Sequence, residues 1–196
     1  MAKLAEFDFD HELYQRLKND LGLLDEKAPD ALAKAVNETA KRAKEDLATQ
    51  AQQTYVVRRV RFKKSIRSIN ATKTRPTATL VVTGRPLLLT NFKYQKNEIG
   101  YWGEGAKAKV LKSSSMKELG EPGRKAFLIT IKSGRRKMPA IAQRIGSRRL
   151  PLHILYGPSV PQMIGSQTRV YGVVEEQIQE HLHAEIEKQV DRISGR

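Results

Sequence analysis

The segment RRLPLHILYGPSVPQMIG, residues 148–165, decides how the chain is organised, because it places prolines and glycines around a compact apolar run. Gly157 and Pro158 predict a sharp turn. Ser159 and Gln162 fit the S-x-x-Q capping box of a helix start. The segment contains no nucleophile beside a base, so it predicts a rigid joint leading into a long helix rather than a catalytic loop. The predicted joint residues are Leu150, Pro151, Gly157, Pro158, Ser159, Pro161 and Gln162.

Residues 167–194 are predicted to form that long C-terminal helix, because apolar side chains recur at every fourth position. At about 100° per residue such a row drifts by roughly 40° per step, so its two ends present apolar surface on different sides. The drift predicts two contacts, one with the chain's own sheet and one with a neighbouring subunit. The row begins with Val170 and Val174, and the candidate subunit interface is Ile178, Leu182, Ile186 and Val190.

Two helices are predicted in the N-terminal part of the chain. Residues 10–24 carry leucines at spacings of four, four and three, with Asp10 as the cap. Residues 29–52 are rich in Ala, Lys and Glu, and Pro29 suits a first helical turn. A narrow stripe on this second helix allows another backbone to approach closely. The stripe comprises Leu32, Val36, Ala40, Ala43, Leu47 and Ala51.

From Tyr55 onward the composition shifts to Val, Ile, Thr and Arg, which is typical of strands. Residues 58–64 predict a short helical turn, and a second turn is expected at Lys73–Pro76. Residues 93–124 are poor in large apolar side chains, which is typical of a functional or mobile segment rather than of packed structure. Strands are predicted at 65–71, 77–83, 86–92, 125–131 and 139–145, and the turn SGRRKM joins the last two.

This order of elements predicts an α+β fold in a single domain, with two N-terminal helices, an antiparallel sheet and a long C-terminal helix. The length of 196 residues is sufficient for one hydrophobic core. Within that domain residues 1–57 are expected to be helical and residues 58–150 basic and β-rich. Residues 151–196 supply the joint and the final helix.

The formal net charge of +15 is concentrated in the middle of the chain. Residues 58–150 contain 24 Lys and Arg against 4 Asp and Glu, whereas the two flanking parts carry −3 and −2. Because a block of this size repels itself, it predicts an anionic neighbour, either nucleic acid or an acidic protein surface. A solvated basic surface without a dedicated partner is the alternative.

The basic residues fall into clusters with few aromatic residues between them. Such clusters suit phosphate backbones or acidic protein surfaces, which are contacts that position a partner without reading sequence. For the first cluster, a structural surface, a subunit interface and proximity to DNA all stay open. The candidate DNA-channel or docking residues are Arg58, Arg59, Arg61, Lys63, Lys64, Lys132, Arg135, Arg136, Lys137, Arg148 and Arg149.

No catalytic, cofactor-binding or metal site is predicted. The chain has no cysteine, and it lacks nucleophile-elbow, phosphate-loop, dinucleotide and zinc-protease signatures. His181 and His183 point about 200° apart on a helix and cannot share a metal ion. His181 and Glu185 are expected to form an exposed surface pair. No run approaches the roughly 20 apolar residues of a membrane span, and the N-terminus lacks a secretory signal, so synthesis and retention in a cytoplasm are expected.

At the joint the chain resembles the minor tail protein Z family of tailed bacteriophages and prophages. The run from Leu150 to Met163, LPLHILYGPSVPQM, and the basic residues before it are very similar to that family's most recognisable stretch. The resemblance extends less sharply to KAPDALAKAVNETAKRAKEDL, to the Tyr-Val-Val-Arg segment and to AFLITIKSGRRK, so it covers nearly the whole chain. Residues 93–124 show the least of the family pattern.

The resemblance implies a structural virion protein at the head-proximal end of the tail, where it completes the tail or neck and helps to join the tail tube to the head connector. It implies no catalytic residues and no cofactor. The implied partners are other copies in a ring, for example a hexamer, the tail tube and head–tail connector proteins, and genome DNA in transit. Such a protein is made in the bacterial host cytoplasm, resides in the virion and has no membrane partner.

Two other classes of protein stay open from the sequence. One is a free basic nucleic-acid-binding protein without sequence-specific readout, and the other is an enzyme with an unrecognised site. DNA held too tightly in a channel would hinder ejection, so a tail protein is expected to make weak, salt-sensitive contacts with it.

Overall fold

A computed structural model of the chain describes residues 2–7, 28–57, 62–96, 105–121 and 124–194. The helix predicted at 10–24 lies outside these residues, and so do Arg58, Arg59 and Arg61. The described part is α+β, as predicted, with four α-helices, antiparallel sheets and a long C-terminal helix. Several small sheets take the place of the one sheet that was expected.

The chain divides into two compact units. The helical unit comprises Met1–Ala51, Arg61–Gly84 and Pro161–Arg196, and the β unit comprises Gln52–Val60 and Arg85–Val160. The predicted division instead had three contiguous segments, with boundaries after residues 57 and 150, whereas each observed unit combines separate segments of the chain. The single-domain organisation stays a prediction.

Helix α1 (Ala28–Thr54) matches the predicted long helix, starting one residue earlier and ending two residues later. Its predicted stripe is buried throughout, and Leu47 and Ala51 are fully enclosed. Half of the stripe consists of alanine, so this face of the helix packs partly through small side chains with little space between elements.

The C-terminal helix α4 (Tyr171–Ser194) runs antiparallel to α1. Arg42 on α1 pairs with Glu185 on α4 at 2.9 Å, and one helical turn further along α1 Asp46 faces His181 at 3.5 Å. Because the partner numbers fall on α4 as they rise on α1, the two helices point in opposite directions.

The apolar row on α4 is buried in part within the helical unit, and two separate contacts for its two ends stay a prediction. Ile178 and Ile186 are buried, whereas Leu182 and Val190 are partly exposed. The inward positions of the distal half are therefore shared with polar residues, Glu185 at 3% and Gln189 at 7% exposure. The helix keeps one buried face, but the composition of that face changes from apolar to polar along its length.

A three-stranded antiparallel sheet completes the helical unit. It contains β1 (Ala2–Phe7), β2 (Ile66–Ile69) and β3 (Ala78–Val82), in the order β1-β3-β2. The central strand β3 is largely buried, and Leu80 is fully enclosed. The short helix α2 (Phe62–Ser65) leads into β2. Strands β2 and β3 were predicted, whereas β1 was not.

The β2–β3 connection is fixed to helix α1 by a side-chain amide. Asn37 Nδ2 donates to the Ala71 carbonyl at 3.1 Å, and Asn37 Oδ1 accepts the Ala71 N–H at 2.7 Å. The backbones of Thr72 and Arg75 exchange hydrogen bonds of 2.8 and 3.1 Å, which forms the turn expected at this position.

The β unit contains four further groups of antiparallel strands. The central group is β10-β11-β12, and the others are β4-β13, β5-β6-β7 and β8-β9. The strands are β4 (Pro86–Leu88), β5 (Lys93–Gln95), β6 (Lys107–Lys109), β7 (Lys117–Glu118), β8 (Gly120–Glu121), β9 (Arg124–Lys125), β10 (Phe127–Ser133), β11 (Arg136–Arg144), β12 (Leu152–Ile154) and β13 (Tyr156–Ser159).

The expectation that residues 93–124 lack packed structure is wrong for the described part of that segment. It forms the short strands β5 to β8, and Ala106 and Ala108 are buried. Residues 97–104 and 122–123 lie outside the description. Phe92 and Ile141 are fully enclosed in the core of this unit. The prediction failed because it relied on large apolar side chains, whereas this segment contributes small alanines to the core.

Two details of the predicted joint are also wrong. Gly157 and Pro158 form no sharp turn but lie in β13, which pairs with β4 and shifts register between Gly157 and Ser159. Ser159 precedes a separate five-residue helix, α3 (Val160–Ile164), and not the long helix. The chain then turns through residues 165–170 before α4 begins, because Gly165 and Ser166 are poor helix formers.

Candidate basic interface

The excess positive charge belongs almost entirely to the β unit. Its residues include 18 Lys and Arg against four Glu, a net charge of +14, whereas the helical unit has 18 against 17, a net charge of +1. The predicted basic block ran from residue 58 to residue 150, but residues 61–84 belong to the helical unit, whose carboxylates offset their charge. The β unit is therefore the part of the molecule that attracts anions.

The β10–β11 hairpin carries the most concentrated positive charge. Lys132 lies directly opposite Lys137, and Ser133 lies opposite Arg136. Gly134 has φ +59° and occupies the first central position of the two-residue turn, a conformation that glycine adopts without strain. Like charges placed opposite each other destabilise a strand pair, so this arrangement favours an anionic partner at the tip.

The outer part of this hairpin is exposed to solvent. Lys132, Arg135, Arg136 and Lys137 are all exposed, and burial begins at Ala140. None of these four cations forms an ion pair with any residue that the structure describes. The base of the hairpin is held by the Thr90 hydroxyl, which donates to the Pro139 carbonyl at 2.8 Å. The tip is thus a cationic group on an anchored ribbon.

A second basic group lies at the other end of β11. Arg148 and Arg149 are exposed in the connection to β12, and the Arg144 guanidinium lies 5.9 Å from the centre of the Phe127 ring. Since β11 spans nine residues, the two ends of the strand are about 26 Å apart. The structure therefore does not bring Arg148 and Arg149 together with the hairpin tip.

The first predicted basic cluster, from Arg58 to Lys64, is described only in part. Arg58, Arg59 and Arg61 lie outside the described residues. Lys63 pairs with Glu45 of α1, and this contact lowers the pKa of the Glu45 carboxyl, first through the hydrogen bond and then through the opposite charge. Lys64 is exposed. Of the three interpretations for this cluster, Lys63 supports the structural surface.

A further pair of cations was missed from the sequence. Lys93 on β5 lies opposite Lys109 on β6, again with like charges facing each other across two strands. Residues 96–106 separate the two strands, and a connection of this length gives no hairpin-turn signal that would have predicted their pairing. This pair adds to the positive surface of the β unit.

The predicted joint residues divide between the two units, because the boundary falls between Val160 and Pro161. Gly157 lies against the ring of Phe92, so closely that an added Cβ would be 2.6 Å from Phe92 Cε2. Leu150 is 65% exposed and does not pack into the joint. The joint is therefore a strand crossing an aromatic ring followed by a short helix.

The candidate subunit row on α4 is partly used within the chain. Ile178 and Ile186 are 2% and 7% exposed, whereas Leu182 is partly exposed and Val190 is not among the enclosed side chains of the core. A subunit contact through this row stays a prediction, and the partly exposed Leu182 and Val190 are the members of the row that remain accessible for it.

The expected exposed pair of His181 and Glu185 is wrong for Glu185. Its side chain is only 4% exposed and lies between Arg42 at 2.9 Å and Lys188 at 3.3 Å. It borders a polar cleft of about 390 Å³ between α1 and α4, which Gln189 also lines. The burial follows from the drift of the apolar row, which turns position 185 inward.

Within the described ranges, no group of three or more His, Asp or Glu side chains is placed to hold a metal ion. Among the helices that are described, none is both long enough and apolar enough to span a bilayer.

The fold and the charge distribution define an α+β protein with a strongly cationic β unit. A sequence model of the family prophage minor tail protein Z (GPZ) matches residues 15–196. The chain therefore belongs to this family of phage tail proteins, and it is a structural, virion-associated minor tail protein. No curated protein and no solved structure matches the chain.

Proposed function

We propose that this protein completes the head-proximal end of the tail or neck and helps to join the tail tube to the head connector, as a ring of identical copies around the DNA channel. The observation that carries the proposal is the unequal charge of the two units, +14 against +1. A ring subunit at the neck must meet both protein neighbours and passing DNA, and one cationic unit beside one neutral unit suits that division.

The basic hairpin is the element best suited to face an anion. Its cations have no acidic partner in the described part of the chain, and they offer point charges rather than a groove lined with aromatic residues. Such a surface binds phosphate backbones weakly and without base readout, which allows DNA to pass. The same charges would suit an acidic face of the tube or connector.

Purified protein distinguishes this function from that of a free nucleic-acid-binding protein. We expect gel filtration and negative-stain microscopy to show rings, and we expect duplex DNA binding that is weak and disappears as salt rises. A monomer that binds duplex DNA tightly at physiological salt would contradict the proposal and favour the nucleic-acid-binding alternative.

A further inference from the structure

The loop between β11 and β12, residues 145–151, exposes large aliphatic side chains beside arginines. Ile145 is 53% exposed and Leu150 is 65% exposed. Arg148 and Arg149 lie between them and are exposed as well. Exposed aliphatic groups next to arginine are the composition of a protein interface rather than of an ordinary solvated surface.

This loop is closed at its base and held in place. The Ile145 N–H donates to the Pro151 carbonyl at 3.4 Å, and Arg124 Nη1 donates to the Ile145 carbonyl at 2.6 Å. The exposed side chains therefore stand on a fixed backbone. Such preorganisation reduces the entropic cost of binding a partner.

The loop has no carboxylate near it in the sequence. From residue 122 to residue 174 the chain contains no Asp or Glu. Neither Arg148 nor Arg149 forms an ion pair with a residue in the described ranges. Glu121 pairs with Arg124, which holds the Ile145 carbonyl, rather than with either loop arginine. We therefore expect the acidic partner of Arg148 and Arg149 on another molecule.

The outer face of α4 has the complementary character. Six positions, spaced by three or four residues, share one side of this helix, and all six are exposed. Four of them are carboxylates and none is a cation, and Val173 at the N-terminal end is 48% exposed. The stripe extends over about 27 Å. It comprises Val173, Glu176, Glu180, Ala184, Glu187 and Asp191.

These four carboxylates form no ion pair with any residue that the structure describes. Other carboxylates do form ion pairs or hydrogen bonds, for example Asp30 with Lys73 at 2.7 Å and Glu118 with the Gly105 N–H at 2.9 Å. The four are Glu176, Glu180, Glu187 and Asp191. The acidic stripe is therefore free to meet a cationic surface.

We propose that the β11–β12 loop of one copy docks on the outer face of α4 of a second copy. Leu150 and Ile145 would contact Val173, and the two arginines would pair with Glu176 and Glu180, one helical turn apart. Because the two surfaces are different, a pair of copies leaves the α4 face of the first copy and the loop of the second copy free. Further copies can bind to these two surfaces, and the repetition generates a ring or an open filament. The inference rests on the proposed function and deepens it by naming the surfaces that join the copies.

Charge reversal in the full-length chain tests this docking. One variant carries Arg148→Glu with Arg149→Glu, and the other carries Glu176→Lys with Glu180→Lys. We expect each alone to associate at least about tenfold more weakly than the natural sequence, because like charges then meet at the contact. An equimolar mixture should recover association, since the reversed loop of the first variant complements the reversed helix of the second. The unchanged helix of the first and the unchanged loop of the second still complement each other.

Sedimentation velocity measures the association, and native mass spectrometry measures whether the mixed assemblies contain the two variants in equal number. Arg85→Glu with Lys112→Glu is the matched control, because it makes the same charge change at two exposed cations of the β unit outside both the loop and the basic hairpin, and it should leave association unchanged. The proposal is overturned if the natural chain does not self-associate, if the mixture shows no recovery, or if the control weakens association equally. If one of these outcomes is found but phage tails still incorporate the protein, the docking proposal is wrong and the proposed function is unaffected.

Discussion

At residue 157 the absence of a side chain allows β13 to cross the ring of Phe92, which is fully buried in the β unit. Gly157→Ala should lower the free energy of unfolding by about 1–3 kcal/mol, because the new methyl group forces the enclosed ring to move. Denaturant unfolding followed by circular dichroism measures the change. Gly146→Ala is the matched control, since nothing lies within 4 Å of an added Cβ at that position. Equal stability of the two variants would contradict this description of the joint.

Single residues also show where prediction from sequence stops. The buried face of α1 could be predicted, because the three- and four-residue spacing of its apolar side chains lies within one segment of the sequence. The burial of Glu185 did not follow from local spacing, since it depends on Arg42 arriving from another helix. The contact of Gly157 with Phe92 is likewise between residues 65 positions apart.

At the scale of elements, the β10–β11 hairpin is expected to be the principal anion-binding feature of the β unit. Neutralising Arg135, Arg136 and Lys137 to Gln should leave the fold intact, because all three side chains are exposed. The slope of log affinity for duplex DNA against log salt should fall by about 0.9 for each phosphate that the variant no longer neutralises.

The matched control for that hairpin variant is Lys34→Gln with Arg67→Gln and Arg75→Gln, three cations on the surface of the helical unit that are not among the candidate docking residues. It removes the same charge, so a nonspecific effect of net charge would weaken both variants equally. Fluorescence anisotropy across a salt series provides both slopes. An unchanged slope in the hairpin variant would remove the hairpin from the candidate interface.

Elements with local signals were predicted well, and elements defined by distant pairing were not. Strands β10 and β11 are joined by a two-residue turn and were predicted, although β10 extends two residues further and β11 begins three residues earlier than expected. Strand β13 pairs with β4, about 70 residues away, so the same Gly-Pro pattern that marks a turn in isolation lies in a strand here. The sequence reports turn chemistry, but it does not report which strand is available for pairing.

For the whole molecule, charge was located correctly along the chain but not in space. The basic block was contiguous from residue 58 to residue 150, and folding assigns residues 61–84 of it to the helical unit, which contains most of the carboxylates. Lys63 and Lys73 are accordingly paired with Glu45 and Asp30. The charge left for an external partner is on the β unit, which is a sharper basis for the proposed role than the net charge of the chain.

The position of the protein in the phage particle is the most direct test of the proposed role. Because the chain has no cysteine, Ser113→Cys introduces a single thiol at an exposed turn in the β unit that can carry a gold label. Electron microscopy of particles assembled with the labelled protein should show gold at the junction of head and tail. Gold at the distal tip, gold along the tube, or particles without label would contradict the account.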